Sequence, residues 1–418
     1  MIKLIAGTKD VLPNEIGKWY FIESKVRELF QLFNYGEIRT PVFEETALFA
    51  RGIGEETDIV SKEMYTFTDR GGTSITLKPE MTASVVRAFI EHTLDAKQSL
   101  NKLFYISPMF RQERPQAGRL RQFHQFGAEA LGSVSPFLDA EIIIIAYRIL
   151  SELGLKQTSV KINTLGKPPE RENFKAALKD FLTPHIGKLS EDSKKRFGGN
   201  ILRIFDSKDE RDIEVMSNAP IILGYLEEGS RQHFETVKTI LTNSNVPFEI
   251  EPKLVRGLDY YTDTTFEILS GKVGSQNALC GGGRYDDLIE SLGGKNTPGV
   301  GFAAGIERII LALDNENRFQ QTESGIDFYI IRLNDNEEAA YRVVSGLREK
   351  KLIAELDYLK RSVKAQMREA NKFNAKFVIF TGGEEEKDGK VTLKNMKTGE
   401  QQIIEPGSII ENANNILR

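Results

Sequence analysis

The spacing of apolar residues predicts helices and strands over the first three quarters of the chain. Apolar positions recur about every 3.6 residues in segments that we predict to be helices: 14–33, 79–89, 140–153, 285–292 and 307–313. Strand-like segments are predicted at 37–43, 102–111, 121–131, 254–268, 276–279 and 299–306. Gly281, Gly282 and Gly283 are predicted to form a turn after the strand at 276–279.

The composition and the hydrophobic pattern of the sequence change twice along the chain. Residues 167–245 are lysine-rich and mostly helical in pattern, so we interpret them as an inserted domain. Residues 315–325 are polar and without period, which is typical of a linker. Strand and helix patterns then alternate and end in a hairpin-like tail, which predicts a small α/β domain with parallel strands. The predicted domains are 1–325, interrupted by 167–245, and 326–418.

Composition and charge exclude several classes of protein. The 418 residues include 56 Lys and Arg against 60 Asp and Glu, with 40% hydrophobic residues, as expected of a soluble globular protein. Cys280 is the only cysteine, which excludes a disulfide framework, a zinc finger and a redox pair. Four scattered histidines argue against a histidine-built metal site. The longest apolar run, 142–147, is too short for a membrane helix, so we expect no membrane partner and a cytoplasmic location.

A cluster of arginines follows Phe110. Four arginines and a single acid, Glu113, lie between 111 and 121, and a solvated surface loop accounts for them equally well. The alternation of the strand at 121–131 favours a site instead, because Gly127 leaves a gap between polar side chains on one face. That face carries Arg121, Phe123, Gln125, Gly127 and Glu129. Polar groups arranged in this way favour a small-molecule site, and Arg111 on the neighbouring strand could reach a bound anion.

Segment 299–313 joins a glycine-rich strand to a helix whose first turn holds Arg308. A cation there opposes the helix dipole, so it predicts either a local pair with Glu307 or an anion at the helix N-terminus. A dinucleotide-binding motif competes, but the spacing GxGxxxG is one residue too long and no acid follows at the expected distance. No GxxxxGK[ST] phosphate loop occurs in the sequence.

Three further features have a structural explanation beside a functional one. Glu80, in the first turn of a predicted helix, complements the dipole without any ligand. The tyrosines of 254–268 suit an ordinary packed strand. In the last domain a basic stripe faces only Glu369 and suits either a solvated face or a nucleic-acid backbone. The stripe consists of Lys360, Arg361, Lys364, Arg368, Lys372 and Lys376.

Several segments together resemble one family, the bacterial-type histidyl-tRNA synthetases, which are class II aminoacyl-tRNA synthetases. YGEIRTPVFE (35–44), FRQERPQAGRLRQFHQFGAE (110–129) and GVGFAAGIERIILAL (299–313) are similar to class II motifs 1, 2 and 3. LVRGLDYYT (254–262) and ALCGGGRYDDLI (278–289) resemble segments specific to the histidine enzymes. With GTKDVLP (7–13) and the final domain, the resemblance spans essentially the whole chain.

The resemblance implies an α+β fold. A catalytic domain on an antiparallel sheet flanked by helices would span 1–325, with the helical insertion at 167–245, and an α/β anticodon-binding domain would span 326–418. Motif 1 would form a homodimer. The implied activity is that of a histidine–tRNA ligase, which makes histidyl-adenylate and pyrophosphate from L-histidine and ATP and transfers histidine to the 3′ end of its tRNA. Mg²⁺ would accompany ATP, and no metal bound by the protein alone is implied.

The resemblance also implies roles for individual residues. Arg256, Arg111 and Gln125 would be catalytic, and Gln116 and Arg121 would read the extra 5′ guanylate of histidine tRNA. Lys364 and Arg368 of the basic stripe would contact the tRNA as well. The ATP site would consist of Arg111, Glu113, Arg119, Arg256 and Arg308. The histidine site would consist of Glu80, Thr82, Gln125, Glu129, Tyr260, Tyr261 and Tyr285.

Two other classes of protein compete with the ligase. A regulatory subunit of ATP phosphoribosyltransferase is a catalytically inactive relative, but such paralogues lose the C-terminal domain and much of the Arg256 segment. A general nucleic-acid-binding protein would explain the basic stripe, but it would leave the shared face of Gln125 and Glu129 unexplained.

Overall fold

The chain divides into two compact units, Met1–Phe319 (unit 1) and Gln320–Arg418 (unit 2). The structure is a computed structural model that describes residues 1–54, 57, 59–255, 260–271, 277–319, 325–334 and 337–417. In this part of the chain, no helix is both long and apolar enough to cross a membrane.

Unit 1 is a mixed α/β unit. Its helices are α1 (Ile16–Leu32), α2 (Thr46–Ile53), α3 (Thr82–Glu91), α4 (Leu94–Lys97), α5 (Pro136–Glu152), α6 (Pro168–Leu182), α7 (Glu191–Gly198), α8 (Glu210–Met216), α9 (Glu228–Asn243), α10 (Leu288–Ser291) and α11 (Ile306–Asn315). Its strands are β1 (Gly36–Glu37), β2 (Phe43–Glu45), β3 (Tyr65–Thr68), β4 (Ser74–Leu77), β5 (Asn101–Phe110), β6 (Gln122–Leu131), β7 (Thr158–Thr164), β8 (Phe248–Ile250), β9 (Thr262–Ser270), β10 (Ala278–Arg284) and β11 (Gly299–Gly305).

Eight of the described strands form one sheet in the order β1-β5-β6-β11-β10-β9-β7-β8. The pairs from β5 to β7 are antiparallel, and only the edge strands β1 and β8 pair in parallel. The predicted α+β class with an antiparallel sheet is thereby confirmed. The strands predicted at 102–111 and 121–131 are confirmed within one residue, because their alternation is regular and their hairpin pairs without a break.

One face of the sheet is covered by α1, α5, α9 and α11, whose apolar stripes form the main core. Phe126 and Ala128 of β6 point into this core, as alternation predicts, and Phe30 of α1 stacks on Phe104 of β5 with ring centroids 4.6 Å apart. The cavity described below lies on the opposite face of the sheet.

Residues 167–245 are largely helical but do not pack as one piece. The helices α6 and α8, with the intervening turns, share a separate apolar core that includes Phe174, Leu178 and Met216. The last helix, α9, instead contributes Phe234 and Val237 to the main core under the sheet. Its amphipathic pattern looked the same as that of its neighbours, so the sequence did not reveal which core it joins.

The turn predicted at Gly281, Gly282 and Gly283 is wrong, because all three glycines lie inside β10 and pair with strands on both sides. A Cβ on Gly282 would lie 2.2 Å from the carbonyl oxygen of Gly301. Close approach of neighbouring backbones, and not chain reversal, therefore requires glycine here. The helix predicted from Tyr285 shrinks to the single turn α10.

A smaller sheet of β2, β4 and β3 stands beside the main one. The helix predicted from Pro79 begins three residues later, at Thr82, and Met81 is its N-cap.

Unit 2 contains the helices α12 (Glu337–Glu349), α13 (Val363–Lys372) and α14 (Pro406–Ile416). Its strands β12 (Phe328–Arg332), β13 (Ala354–Leu356), β14 (Phe377–Thr381), β15 (Val391–Asn395) and β16 (Gln401–Ile404) have the order β13-β12-β14-β15-β16. The predicted parallel strands are confirmed for β13, β12 and β14, and the hairpin tail for β15 and β16. The sequence analysis missed α14, which packs Ile409 and Ala413 into the core of this unit.

Candidate active site

A cavity of about 270 Å³ opens on the sheet face of unit 1 that lies opposite the main core, beside the part of that face that α3 and α10 cover. This volume lies near the lower end for small-molecule pockets, which start at roughly 300 Å³. Strands β6, β9, β10 and β11, the start of α3 and the loop between β5 and β6 surround it. The predicted site residues that line it are Glu80, Thr82, Arg111, Glu113, Arg119, Gln125, Tyr260, Tyr261, Tyr285 and Arg308.

The carboxylate of Glu129 is fully buried and does not itself line the cavity; it lies directly behind three lining residues, Thr82, Tyr105 and Tyr285. Oε1 accepts a hydrogen bond from the Thr82 hydroxyl at 2.8 Å and a longer one from Tyr105 at 3.5 Å, and Oε2 accepts one from Tyr285. A Cβ on Gly301 would lie 1.8 Å from Glu129 Oε2, so glycine there makes room for the carboxylate.

The gap expected above Gly127 is not open. The ring of Tyr105, which pairs with Gly127 across β5 and β6, occupies it, and a Cβ on Gly127 would lie 2.4 Å from the Tyr105 hydroxyl oxygen. Sequence analysis missed Tyr105 because the pattern of β5 alone does not show which face carries a cavity. The glycine of the neighbouring strand was the only available signal.

Burial controls the ionisation of the two carboxylates at this end. Desolvation raises the pKa of Glu129 to about 8, although hydrogen bonds from Tyr285 and Thr82 lower it. Burial also raises the pKa of Glu80, against hydrogen bonds from the backbone N–H groups of Ala83 and Thr82. A protonated carboxyl near neutral pH is therefore expected at Glu129 in the unliganded protein.

Glu80 caps the N-terminus of α3. Its carboxylate accepts from the backbone N–H of Thr82 at 2.7 Å and of Ala83 at 2.9 Å. The structural explanation offered by the sequence, a favourable interaction with the helix dipole, therefore holds. The same carboxylate also borders the cavity, so the capping role and a ligand-binding role are compatible.

Tyr260, Tyr261 and Tyr285 form an aromatic wall beside Glu129. The ring centroid of Tyr260 lies 4.8 Å from that of Tyr261 and 5.6 Å from that of Tyr285. Gln125 stands on the β6 face nearby, and its Oε1 is buried without a hydrogen-bond partner among the described residues. A buried amide oxygen in that state can accept from a bound donor.

The opposite end of the cavity is a cluster of guanidinium groups. Arg119 Nε lies 2.6 Å from Glu113 Oε2, and Arg111 Nη1 lies 3.8 Å from Glu113 Oε1. Arg111 donates to the carbonyl of Pro79 at 2.9 Å and lies over the Phe123 ring. Together with Arg308, these arginines place three cations at this end. Glu113 is the acid paired with them, while Glu267 and Glu307 also border the cavity.

Arg308 is fixed at this end by backbone carbonyls. Nε donates to Gly118 and Nη1 to Ala278, each at 2.9 Å. Burial lowers the pKa of Arg308, and the neighbouring charge of Arg119 lowers it further. The local pair with Glu307 is wrong, because the Glu307 carboxylate accepts from the backbone and ring nitrogens of His124. The anion explanation therefore remains for Arg308.

The loop between β5 and β6 holds Gln116 and Arg121. Gln116 is exposed and pairs with Arg119 across a tight turn. The backbone N–H of Arg121 donates to the carbonyl of Gly7 at 2.6 Å, which ties the N-terminal segment to this loop. Arg256 lies outside the described residues, so its position is not part of this geometry.

The basic stripe of unit 2 is more neutralised than the sequence suggested. Lys360 pairs with Glu337, Arg361 with Asp357 and Glu369, Lys372 with Glu369, and Lys376 with Asp327. Lys364 and Arg368 are exposed on α13, and neither has an acidic partner among residues 325–334 and 337–417. The free positive charge of the stripe is therefore concentrated on these two residues.

The cavity thus joins an acidic, tyrosine-lined end to a cationic end. The first suits a small ligand with hydrogen-bond donors, and the second suits a polyphosphate. Both ends belong to one cavity, on an antiparallel sheet of the class II synthetase type.

Comparison with known proteins agrees with this class. A family model described as histidyl-tRNA synthetase matches residues 7–309, and one described as an anticodon binding domain matches 327–415. A relative from Halothermothrix orenii, named histidine–tRNA ligase, is 50% identical over 411 residues and covers 98% of each chain. A ligase of the same name from Caldanaerobacter subterraneus is 48% identical over 405 residues and covers 97% of each. The crystal structure of apo S. aureus histidyl-tRNA synthetase is similar with a TM-score of 0.83 and 39% identity, covering 98% of this chain and 99% of that one.

The chain is therefore a class II aminoacyl-tRNA synthetase. Within that class it belongs to the histidyl-tRNA synthetase family. The match over 327–415 argues against a regulatory paralogue, since such proteins are expected to lack this domain.

The raised pKa of Glu129 predicts a pH-dependent gain in stability for Glu129→Gln. Above about pH 4.3 the unfolded carboxyl releases its proton, whereas the folded one keeps it until about pH 8, so the wild type loses stability between these values. The difference in free energy of unfolding, Glu129→Gln minus wild type, should therefore increase by on the order of 3 kcal/mol between pH 4.5 and pH 7. Urea unfolding at both pH values measures this difference.

Glu210→Gln, at an exposed position of α8, is the matched control and should show no comparable gain. A difference between Glu129→Gln and the wild type that stays constant with pH would contradict the burial argument.

Proposed function

We propose that the cavity carries out both steps of the histidine–tRNA ligase reaction, which is the activity of this family. The observation that carries the proposal is one cavity that joins the buried carboxylate of Glu80 and three tyrosines to a cluster of arginines. Glu129 lies directly behind its tyrosine-lined end, bonded to Thr82 and Tyr285. Histidine would occupy the first end and the ATP phosphates the second.

In the first step the histidine carboxylate attacks the α-phosphorus of ATP and pyrophosphate leaves. No enzyme nucleophile is needed, so the rate depends on positioning and on stabilising the charge of the phosphates. Arg111 would hold the α-phosphate, and Arg308, already oriented by two carbonyls, would hold the γ-phosphate. Arg119 would bind the pyrophosphate end, with Glu113 orienting its guanidinium. Arg256 would face Arg111 across the α-phosphate, a role that rests on the sequence resemblance alone.

Histidine recognition follows from the donors and acceptors of its two polar ends. Its α-ammonium would donate to Glu80 and to the unpartnered oxygen of Gln125, with Thr82 beside them. The imidazole N–H would donate to Glu129, and its other nitrogen would accept from the Tyr261 hydroxyl. Amino acids without that donor would forgo a hydrogen bond that the pocket is built to make, which can discriminate by roughly 10⁴-fold. Tyr260 and Tyr285 would close the pocket.

Mg²⁺ is expected to enter with ATP. Among the described residues no cluster of three or more acidic, histidine or cysteine side chains offers the ion a site of its own. Glu113 and Glu267 border the cationic end and supply the oxygen ligands that Mg²⁺ prefers. These residues fit an ion that is held mainly by the phosphates of ATP. The ion would neutralise charge on the β- and γ-phosphates.

In the second step the 3′-hydroxyl of the terminal adenosine of the tRNA attacks the histidyl carbonyl, the bond to the phosphate breaks and AMP leaves. We assign no protein general base, because a phosphate oxygen of the adenylate can accept the proton. Gln116 and Arg121 would read the extra 5′ guanylate from their loop, and Lys364 and Arg368 would contact phosphates of the tRNA.

A homodimer is proposed from the small sheet of β2, β4 and β3. Phe43 and Tyr65 both pair with Leu77, and Phe67 pairs with Ile75, so these five apolar side chains share one face. Phe43 is 51% exposed and Phe67 is 49% exposed. Phe43 also lies in the segment that resembles motif 1. An exposed apolar face of this kind favours contact with a second copy of the chain.

Histidine-dependent exchange of pyrophosphate into ATP tests the proposed function. Of the twenty amino acids, only histidine should support exchange. Arg256→Ala should abolish it while the fold persists, because the α-phosphate loses a counter-charge. Arg51→Ala, on the exposed side of α2, serves as the control and should keep exchange. Equal exchange with several amino acids would contradict the pocket, and near-normal exchange by Arg256→Ala would contradict that role.

Neutralising Lys364 and Arg368 together is expected to weaken tRNA binding without changing histidine-dependent exchange. Loss of two phosphate contacts should reduce the slope of log affinity against log salt concentration by about one to two. The paired variant Lys390→Ala/Lys397→Ala changes the same charge at exposed positions elsewhere in unit 2 and should leave the slope unchanged. An unaltered slope in Lys364→Ala/Arg368→Ala would remove the stripe from the tRNA interface.

Replacing Phe43 and Phe67 by serine should turn the dimer into a monomer, because the apolar face then gains no free energy from burial. Sedimentation velocity at micromolar concentration measures the change. Val134→Ser/Phe137→Ser removes two similarly exposed apolar groups, 66% and 65% exposed, and should leave the dimer intact. A monomeric wild type, or a dimer that survives Phe43→Ser/Phe67→Ser, would refute this interface.

A further inference from the structure

A buried ion pair adjoins the histidine end of the cavity but takes no part in the reaction proposed above. Arg284 closes β10, and its side chain is fully buried together with that of Asp139 in the first turn of α5. Burying both charges is expensive, so a pair in this position is weak evidence for stability by itself. Its place in the chain suggests another role, because the next residue after Arg284 is Tyr285.

The guanidinium of Arg284 is held on every side. Nε donates to both carboxylate oxygens of Asp139 at 3.0 and 3.2 Å, and Nη2 also donates to this carboxylate. Nη1 donates to the carbonyl of Ser133 at 3.0 Å and to Asp286 Oδ1 at 2.9 Å, and Nη2 reaches the carbonyl of Ser135 at 3.3 Å. With these partners fixed, the end of β10 has little freedom to move.

Asp139 is tied to a third element. His233 Nε2 of α9 lies 2.8 Å from Asp139 Oδ2, so α5, α9 and β10 meet at this carboxylate. The residue on the other side of the tyrosine is fixed as well, since Asp286 Oδ1 accepts from the backbone N–H of Gly299 at 3.3 Å.

Tyr285 lies between these two anchored neighbours. Arg284, the last residue of β10, contacts Asp139 of α5, whereas Tyr285, directly after the strand, lines the cavity. The backbone N–H of Tyr285 donates to the carbonyl of Gly299 at 2.8 Å, and its hydroxyl donates to Glu129. A shift at Arg284 would therefore move the phenol relative to the carboxylate that we propose reads the imidazole.

We propose that Asp139, acting through Arg284, is a positioning residue for histidine binding: it holds the Tyr285 hydroxyl on Glu129 from the far side of the sheet. This inference rests on the proposed histidine pocket. Asp139 touches no substrate, so its effect is confined to the histidine end of the cavity. The ATP end is held by different contacts, those of Arg111, Arg119 and Arg308.

The test is a double-mutant cycle with Asp139→Asn and Tyr285→Phe, read as the KM values for histidine and ATP in pyrophosphate exchange. Each single variant should raise the histidine KM by about tenfold, the effect of losing one hydrogen bond, with the ATP KM within about twofold of the wild type. The histidine KM of the double variant should be no higher than the larger of the two single-variant values, because both changes remove the same contact.

Three results would overturn the proposal: an unchanged histidine KM in folded Asp139→Asn, an equal rise in both KM values, or effects that multiply in the double variant. Asp212→Asn is the matched control, since Asp212 is another buried carboxylate, bonded to serines of the inserted segment, and should leave the ratio of the two KM values unchanged.

If Asp139→Asn does not fold, Asp286→Asn decides the question, because it removes the more exposed anchor of Arg284. A rise of about threefold confined to the histidine KM would support the proposal, and unchanged constants would refute it. Wild-type exchange that does not require histidine would instead refute the proposed function itself, so the two failures are distinguishable.

Discussion

The carboxylate of Glu129 is the group around which the rest of the site is organised. It lies fully buried on a sheet face, where an unsatisfied charge would be expensive. Donors therefore converge on it from separate elements, Thr82 from α3, Tyr105 from β5 and Tyr285 beyond β10. Gly301 opposite leaves it room. One buried carboxyl on β6 thus links α3, β5 and the residue that follows β10.

The cationic end is built on the same logic with the charges reversed. Arg111, Arg119 and Arg308 would repel one another, and the structure offsets this with Glu113 and with backbone carbonyls at Pro79, Gly118 and Ala278. These carbonyls fix the guanidinium groups without neutralising them. Their positive charge therefore stays available for phosphates, and catalysis by preorganised charge requires charged groups that are oriented without being neutralised.

Sequence patterns were most informative where one strand has a polar face and an apolar face. Alternation along β6 assigned Phe126 and Ala128 to the core and Gln125 and Glu129 to the opposite face, and the strand boundaries were nearly correct. The same reasoning failed at Gly281–Gly283, because glycine is typical of turns and also of strands whose neighbours approach closely. Only the partners of β10, which come from distant parts of the chain, distinguish the two.

The sequence by itself determined the family, the antiparallel hairpin of β5 and β6, and the kinds of side chain that the site contains. Tertiary structure alone decided which of these side chains meet: Tyr105 over Gly127, Glu307 with His124 instead of Arg308, and Asp139 with Arg284 behind Tyr285. The physical reason is that periodicity records only which face a residue occupies. Which side chains then touch depends on how the faces and strands pack, and no local pattern carries that information.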